Sequence, residues 1–397
     1  MSVRLAAIGV GNRTGKYLQY FRSHPDLVKL VALVEPNPIR REASRRQFEL
    51  SQDVCFATDE EFFEKFQGPC DGVILGSPDR YHYNQTLRCI ERGWHILLEK
   101  PIAQSYEQCL ELSAAAKAKG VKVGVCYVMR FMPQYRKLKE LIDSGVIGRT
   151  SGVSHQEYVG MDRMLHTYVR GYWNRAETST PSFLSKCCHD VDMLLWVTGA
   201  SIKEVQSAAS LEWYKPENAP EGAADRCMDC PVEAECAFSA VDMYLRRDVW
   251  TNNFPIPEGM TKRQVLEEEV KRGRFGRCAF RCDNDVADRQ LVTLTATDGI
   301  LITIEMNALT RREGRKTVFT GTDGELVSDE RTLQLNDRYG RLVETWDFSR
   351  EAMVPLHANA DLVLVEDFIQ SLQEPGRQPA VTLEDALESH RICYIAG

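Results

Sequence analysis

The sequence predicts an α/β fold in two parts: a doubly wound parallel sheet over residues 1–125, then an α+β domain with an open, mostly antiparallel sheet over 126–397. Three observations predict it. Short apolar runs alternate with helix-like segments through the first part, the spacing of parallel strands and their crossovers. A glycine-rich turn directly follows the first of those runs. After Arg130-Phe131-Met132-Pro133 the grammar changes, and longer alternating runs follow one another through Asp-Gly turns, the signal of hairpins.

Val3–Val10 reads as the first strand, and Gly9-Val10-Gly11-Asn12-Arg13-Thr14-Gly15 opens a helix that runs through Phe21. Gly9 permits the tight turn, Gly11 lets backbone approach a pyrophosphate, and the free N–H groups of the helix start stabilise that anion. This is the grammar of a Rossmann dinucleotide site, with Thr14 at the third fingerprint position and Gly15 one residue late. A second strand, Leu30–Val34, ends in Glu35, about 20 residues past the glycines, where a carboxylate accepts a ribose 2′-hydroxyl and favours NAD. Arg40 and Arg41 follow closely, so NADP stays open. Helices over 40–50 and 60–66, the strand Asp71–Leu75 and the turn Gly76-Ser77-Pro78 come next, then a helix over Tyr81–Arg92. The run Trp94–Leu98 is too short for a helix and ends in Glu99-Lys100-Pro101, as a buried parallel strand does when its carboxyl end carries the chemistry. A helix over 105–119 and a strand over 121–127 complete this part.

The second part begins with a helix over 135–144 and Gly145-Val146-Ile147-Gly148. Asp298-Gly299 is expected to join Leu291–Thr297 to Ile300–Met306, Asp323-Gly324 to join Thr317–Thr320 to Glu325–Ser328, and Asn336–Gly340 to join two more strands. An apolar outer face on such a sheet would serve a homodimer or homotetramer. Between these strands, Pro181–Val197 reads as a helix with Ser185, His189 and Asp192 on one face beside Cys188. Helices return at 361–372 and 383–394, the last behind a Thr382/Asp385 capping pair.

A net charge of −8 without a basic run argues against a nucleic-acid partner. No apolar run approaches the ~20 residues that span a bilayer, and the first residues lack the apolar core and cleavage site of a signal peptide, so a cytoplasmic location is expected. Small molecules are the expected partners.

Taken together, these motifs resemble the Gfo/Idh/MocA family of NAD(P)-dependent oxidoreductases of sugars and cyclitols. The similarity runs over nearly the whole chain: the glycine loop, Glu35-Pro36, Ser77-Pro78 with His82, Glu99-Lys100-Pro101, Arg130-Phe131, Gly145–Gly148, and His189 with Asp192. The resemblance implies a Rossmann domain, an α/β domain on an open sheet, and substrate held beside the nicotinamide. It places Gly9, Gly11, Asn12, Arg13, Glu35, Ser77, Pro78, His82, Glu99 and Lys100 at the cofactor. Lys100 would contact the reacting hydroxyl and His189 would be the general acid/base, roles that suit an ammonium facing an alkoxide and an imidazole that titrates near neutrality. Arg130, Lys186, Asp190, Asp192 and Tyr158 are the candidate substrate contacts. The family commonly has an aspartate four residues before the histidine; here Ser185 stands there, so Asp190 or Asp192 supplies the carboxylate, or the substrate is itself an acid held by Lys186 or Arg130. The expected reaction is hydride transfer between nicotinamide and a secondary hydroxyl of a sugar, sugar acid, cyclitol or glycoside. Two alternatives use the same parts: a redox-neutral glycoside-processing enzyme with tightly bound NAD, and a non-catalytic sugar or nucleotide sensor.

Residues 214–285 form an insertion the core fold does not need. Cys227-x-x-Cys230, then Cys236, then Cys278 or Cys282, reads as a metal site in a reducing compartment. Structural zinc is expected, an iron–sulfur cluster uses the same ligands, and free thiols or a labile disulfide are the alternative.

Overall fold

The computed structural model describes residues 2–353, 357 and 359–397, with Asn253 described by its backbone alone. Its contacts divide the chain into two compact units. The first comprises Met1–Leu141, Cys188–Thr198 and Asp347–Tyr394, and the second Ile142–Cys187, Gly199–Trp346 and Ile395–Gly397.

The first unit holds a six-stranded parallel sheet in the order β3-β2-β1-β4-β5-β6, made of β1 (Val3–Ile8), β2 (Val28–Val34), β3 (Cys55–Phe56), β4 (Gly72–Leu75), β5 (His95–Leu98) and β6 (Val123–Val125). Strands β4 and β6 are buried throughout because helices cover both faces, which is why they read as continuous apolar runs. The helices are α1 (Asn12–Ser23), α2 (Pro38–Gln47), α3 (Asp59–Lys65), α4 (Asp79–Glu91), α5 (Tyr106–Lys119) and α6 (Pro133–Asp143). Asn37, Thr58 and Ser105 cap α2, α3 and α5 through their side chains, whereas α1 and α4 start at Gly11 and Pro78 with no side-chain cap. Helix α7 (Ser182–Thr198) runs from the second unit into the first, and α8 (Ala360–Gln373) and α9 (Leu383–Ala396) follow near the C-terminus. The expected capping pair forms: Asp385 accepts from the Thr382 N–H at 2.8 Å, and Thr382 Oγ1 accepts from the Asp385 N–H at 3.1 Å.

The second unit holds an eight-stranded sheet in the order β14-β13-β12-β11-β7-β10-β9-β8. Its strands are β7 (Thr150–Tyr158), β8 (Ile202–Ser210), β9 (Arg289–Ala296), β10 (Leu301–Asn307), β11 (Gly314–Gly321), β12 (Gly324–Ser328), β13 (Thr332–Asp337) and β14 (Leu342–Asp347). Among the described pairings only β7–β10 is parallel; the others are antiparallel. Val153, Val292, Leu294, Ile302, Ile304 and Phe319 face the core, and the alternate residues, among them Leu291 and Leu301, lie on the outer side.

Asp298-Gly299 makes its turn, with Gly299 at φ +93°. The second hairpin turns one residue earlier than its Asp-Gly pair indicates, through Thr322-Asp323. Gly324 instead opens β12, where a Cβ would lie 2.4 Å from the Asn336 carbonyl oxygen, so this glycine serves close strand approach. Strands β3 and β8 and an insertion helix, Lys262–Arg272, were not expected from the sequence pattern. Among the described residues no helix is long and apolar enough to cross a membrane.

Candidate active site

Because β2, β1, β4 and β5 are adjacent and parallel, their carboxyl ends bring Glu35, Gly9, Ser77 and Lys100 to one edge of the sheet. Gly9 has φ +78°, and a Cβ there would lie 2.7 Å from the Ser77 nitrogen and 2.8 Å from the Gly76 oxygen, so only glycine fits. Gly11 faces open space, α1 starts behind it uncapped, and the buried Thr14 Oγ1 has no partner. Open backbone donors, an unpartnered hydroxyl and a side-chain-free approach fit the pyrophosphate of a dinucleotide. Glu35 is buried: Oε2 accepts from the Val10 N–H at 3.0 Å, and Oε1 accepts from the Asn37 N–H and the Arg40 guanidinium, both at 2.9 Å. It therefore holds the glycine loop from the carboxyl end of β2.

The other expected cofactor residues divide by what their side chains touch. Asn12 and Arg13 open α1, but the Arg13 guanidinium reaches Glu99 at 3.1 Å, Asp361 at 2.6 Å and the Tyr17 hydroxyl at 2.7 Å. Burial alone would push the Asp361 carboxyl up; hydrogen bonds and charge from His357 and Arg13 outweigh it and hold the group down at about 2. Ser77 donates to Gln85 at 2.6 Å, and Pro78 precedes α4. His82 places its ring nitrogens 2.7 and 2.8 Å from the Pro101 and Ser77 carbonyl oxygens, joining the two loops.

Lys100 follows β5, with its N–H donating to Glu99 Oε2 at 3.0 Å and a cis peptide to Pro101. Its ammonium acts electrostatically on both Cys188 of α7 and His390 of α9. Burial pushes the Cys188 thiol up to about 12 with Lys100 opposing, and burial holds His390 down at about 4 with Lys100 reinforcing it. His189 Nε2 lies 3.3 Å from Asp190 Oδ2, and Asp190 is fully buried. Arg130 grips Asp192 with two parallel bonds of 2.8 and 2.6 Å; burial pushes the Asp192 carboxyl up to about 6, with Arg130 opposing. This pair ties the turn Val128–Phe131 to α7.

Lys186 and Tyr158 belong to the second unit. Lys186 Nζ lies 2.9 Å from Glu157, which also pairs with Arg315 at 2.9 Å. Tyr158 donates to Gln156 at 2.8 Å. Successive residues of a strand point to opposite faces, so Glu157 with Lys186 and Tyr158 with Gln156 lie on opposite sides of the sheet. Ser185 donates to the Tyr168 hydroxyl at 3.0 Å.

The metal expectation needs correction at the level of geometry. All thirteen cysteines are free thiols, and among the described residues no three His, Cys, Asp or Glu side chains are drawn together to hold an ion as they stand. Cys282 donates to the Cys278 carbonyl at 3.3 Å and Cys227 toward the Arg277 carbonyl at 3.8 Å.

Sequence reasoning missed His390. Its Nε2 accepts from the Ile102 N–H at 3.0 Å, while Nδ1 lies 2.8 Å from the Ala386 oxygen and 3.0 Å from the Tyr127 hydroxyl. An acceptor at Nε2 requires a neutral ring protonated on Nδ1, as its burial favours. Backbone two residues past Lys100 is thus anchored by α9. The one available signal was Ser389-His390, a polar pair inside an otherwise apolar helix face.

Residues 3–127 match the family described as "Oxidoreductase family, NAD-binding Rossmann fold", and residues 139–396 match its "C-terminal alpha/beta domain". The chain is 23% identical over 320 residues to YteT of Bacillus subtilis, named only as an oxidoreductase, covering 79% of this chain and 72% of that one. It is 28% identical over 208 residues to inositol 2-dehydrogenase 1 of Saccharopolyspora erythraea, covering 52% of this chain and 57% of the relative, so little more than half of that protein is spanned. Two solved structures share the fold. An oxidoreductase from Agrobacterium radiobacter in complex with NAD+, L-tartaric acid and magnesium aligns at TM-score 0.71 and 13% identity, covering 100% of this chain and 95% of that one. The WlbA dehydrogenase from Bordetella pertussis with NADH and UDP-GlcNAcA aligns at TM-score 0.67 and 16% identity, covering 100% and 96%.

Proposed function

The chain belongs to the Gfo/Idh/MocA oxidoreductase family, and on that premise we propose that it is an NAD-dependent dehydrogenase of a secondary hydroxyl on a sugar, sugar acid, cyclitol or glycoside. The observation that carries this reading is the placement of Lys100 at the carboxyl end of β5, in the same compact unit as the glycine cradle and His189, with its ammonium acting electrostatically on Cys188. When bound, NAD supplies the hydride acceptor. Gly9, Gly11 and the start of α1 receive its pyrophosphate, and Glu35 accepts from the ribose and disfavours a 2′-phosphate by like charge. The Lys100 ammonium stabilises negative charge developing on the substrate oxygen, and His189 removes the proton from that oxygen. Asp190, 3.3 Å from His189 Nε2, stabilises the imidazolium so formed. Arg130 and Asp192 position α7 through their mutual bonds. Lys186, one helical turn before His189, is the candidate to orient an acidic substrate. Leu291 and Leu301 on the outer side of the second sheet support self-association through that face, which sedimentation would test.

The test is the appearance of reduced nicotinamide when the purified chain meets NAD and a panel of cyclitols, free sugars, sugar acids and glycosides. Turnover of at least one class is expected. Silence across the panel, with activity on glycosides that needs no added NAD, would replace this reading with the redox-neutral one.

A further inference from the structure

The insertion contains a feature the dehydrogenase chemistry does not use. Cys227, Cys230, Cys236 and Cys278 come from three separate turns, and all four line one small cavity walled otherwise mostly by apolar groups such as Val232, Phe238 and Phe280, with Ser239 and Glu233, which pairs with Arg246, also on its wall. Cys282 is not on its wall. The space inside admits about one water-sized body, which suits a single ion.

Beside this cavity lies Arg170, the largest fully buried side chain among the described residues. It donates from Nε to the Arg277 oxygen at 2.8 Å and from Nη2 to the Phe238 oxygen at 2.6 Å, and Nη2 stands 3.8 Å from Cys227 Sγ. Its Nη1 is buried with no partner, and among the described residues no carboxylate pairs with it. A buried guanidinium without a counter-charge is costly, and four neutral thiols do not remove the cost. Four thiolates on a divalent ion do. They also account for the Ala240 N–H, which donates to Cys227 Sγ at 3.3 Å.

We propose that Cys227, Cys230, Cys236 and Cys278 bind one zinc ion as a closed structural centre whose negative charge compensates Arg170. Each thiol releases its proton to solvent as its sulfur bonds to the ion, so the centre carries −2 against the +1 of the guanidinium. The four sulfurs are not drawn together as they stand, so binding requires each thiol to turn about its one side-chain torsion into the cavity it lines. Four protein ligands leave no position for a catalytic water, so the ion fastens the insertion and takes no part in hydride transfer.

The full chain, purified under reducing conditions, is expected to contain about one zinc per chain, and cobalt(II) in its place is expected to give the intense visible bands of a tetrahedral thiolate site. Cys230→Ser and Cys236→Ser are expected to lose the ion, and Cys282→Ser to keep it. Both wild-type readouts stand even where a variant fails to fold. A folded wild-type chain with no zinc and no thiolate–cobalt bands on titration overturns the proposal. So does iron with acid-labile sulfide, or a disulfide among these four. Loss of the ion in Cys282→Ser with retention in Cys278→Ser overturns the ligand assignment.

Discussion

At Lys100 the chain leaves β5 with its N–H on Glu99 and, two residues on, its backbone on His390, so the ammonium is carried by a segment fixed on both sides. A group so held contributes through the reacting oxygen, and removing a general acid/base or its electrostatic partner typically costs about 10²–10⁴-fold in rate. Lys100→Ala and His189→Asn are each expected to lower kcat by that order while leaving the thermal transition near that of the parent. The Arg130–Asp192 pair behaves differently. Removing one member of a buried pair strands the other, so Asp192→Ala is expected to cost about 3–5 kcal/mol in chemical denaturation, and the joint change Arg130→Met with Asp192→Leu to recover much of that loss. Glu99-Lys100 was legible in the sequence because two charges ending an apolar run break its pattern. The pairing of Arg130 with Asp192, 62 residues apart, was not, since neither position differs locally from a surface ion.

Elements whose ends carry their own chemistry were the readable ones. The Thr382/Asp385 box, Asp298-Gly299 and the Gly9 turn all formed where the sequence placed them, because each is decided within a few residues. Strand β8 was missed because its pattern is mostly exposed and lacks apolar alternation, and the parallel β7–β10 contact was missed because it joins strands far apart in the chain with no turn between them. Asp323-Gly324 misled by one residue since the glycine answers a neighbouring strand and not the turn. Two substitutions test this scale. Gly9→Ala introduces a Cβ against the Ser77 backbone at a positive φ, and is expected to abolish NAD binding by calorimetry and to lower stability. Thr382→Ala removes a cap from α9 and is expected to cost about 1 kcal/mol, read from the shift in denaturation midpoint.

Across the whole molecule, burial pushes down the pKa of His390 and His95 in the first unit and of His166 in the second, with His390 and His166 both held down at about 4 from an ordinary value of 6.5. The unfolded chain binds the proton that the folded chain refuses. Their contribution to stability is therefore intact above pH 6.5 and declines as pH falls toward 4, by up to about 3 kcal/mol for each of His390 and His166. Denaturation curves at pH 7 and pH 4.5 should show this loss, and His166→Phe should remove part of it. For His390 the proton also displaces the Ile102 N–H from Nε2, so loosening behind Lys100 should accompany the acid limb. The central claim is that Lys100 acts on the reacting hydroxyl. Its most direct test is single-turnover formation of reduced nicotinamide by Lys100→Ala with the best substrate of the panel, beside its NAD affinity. The account predicts NAD binding retained with hydride transfer nearly lost; a parental transfer rate in that variant would contradict it.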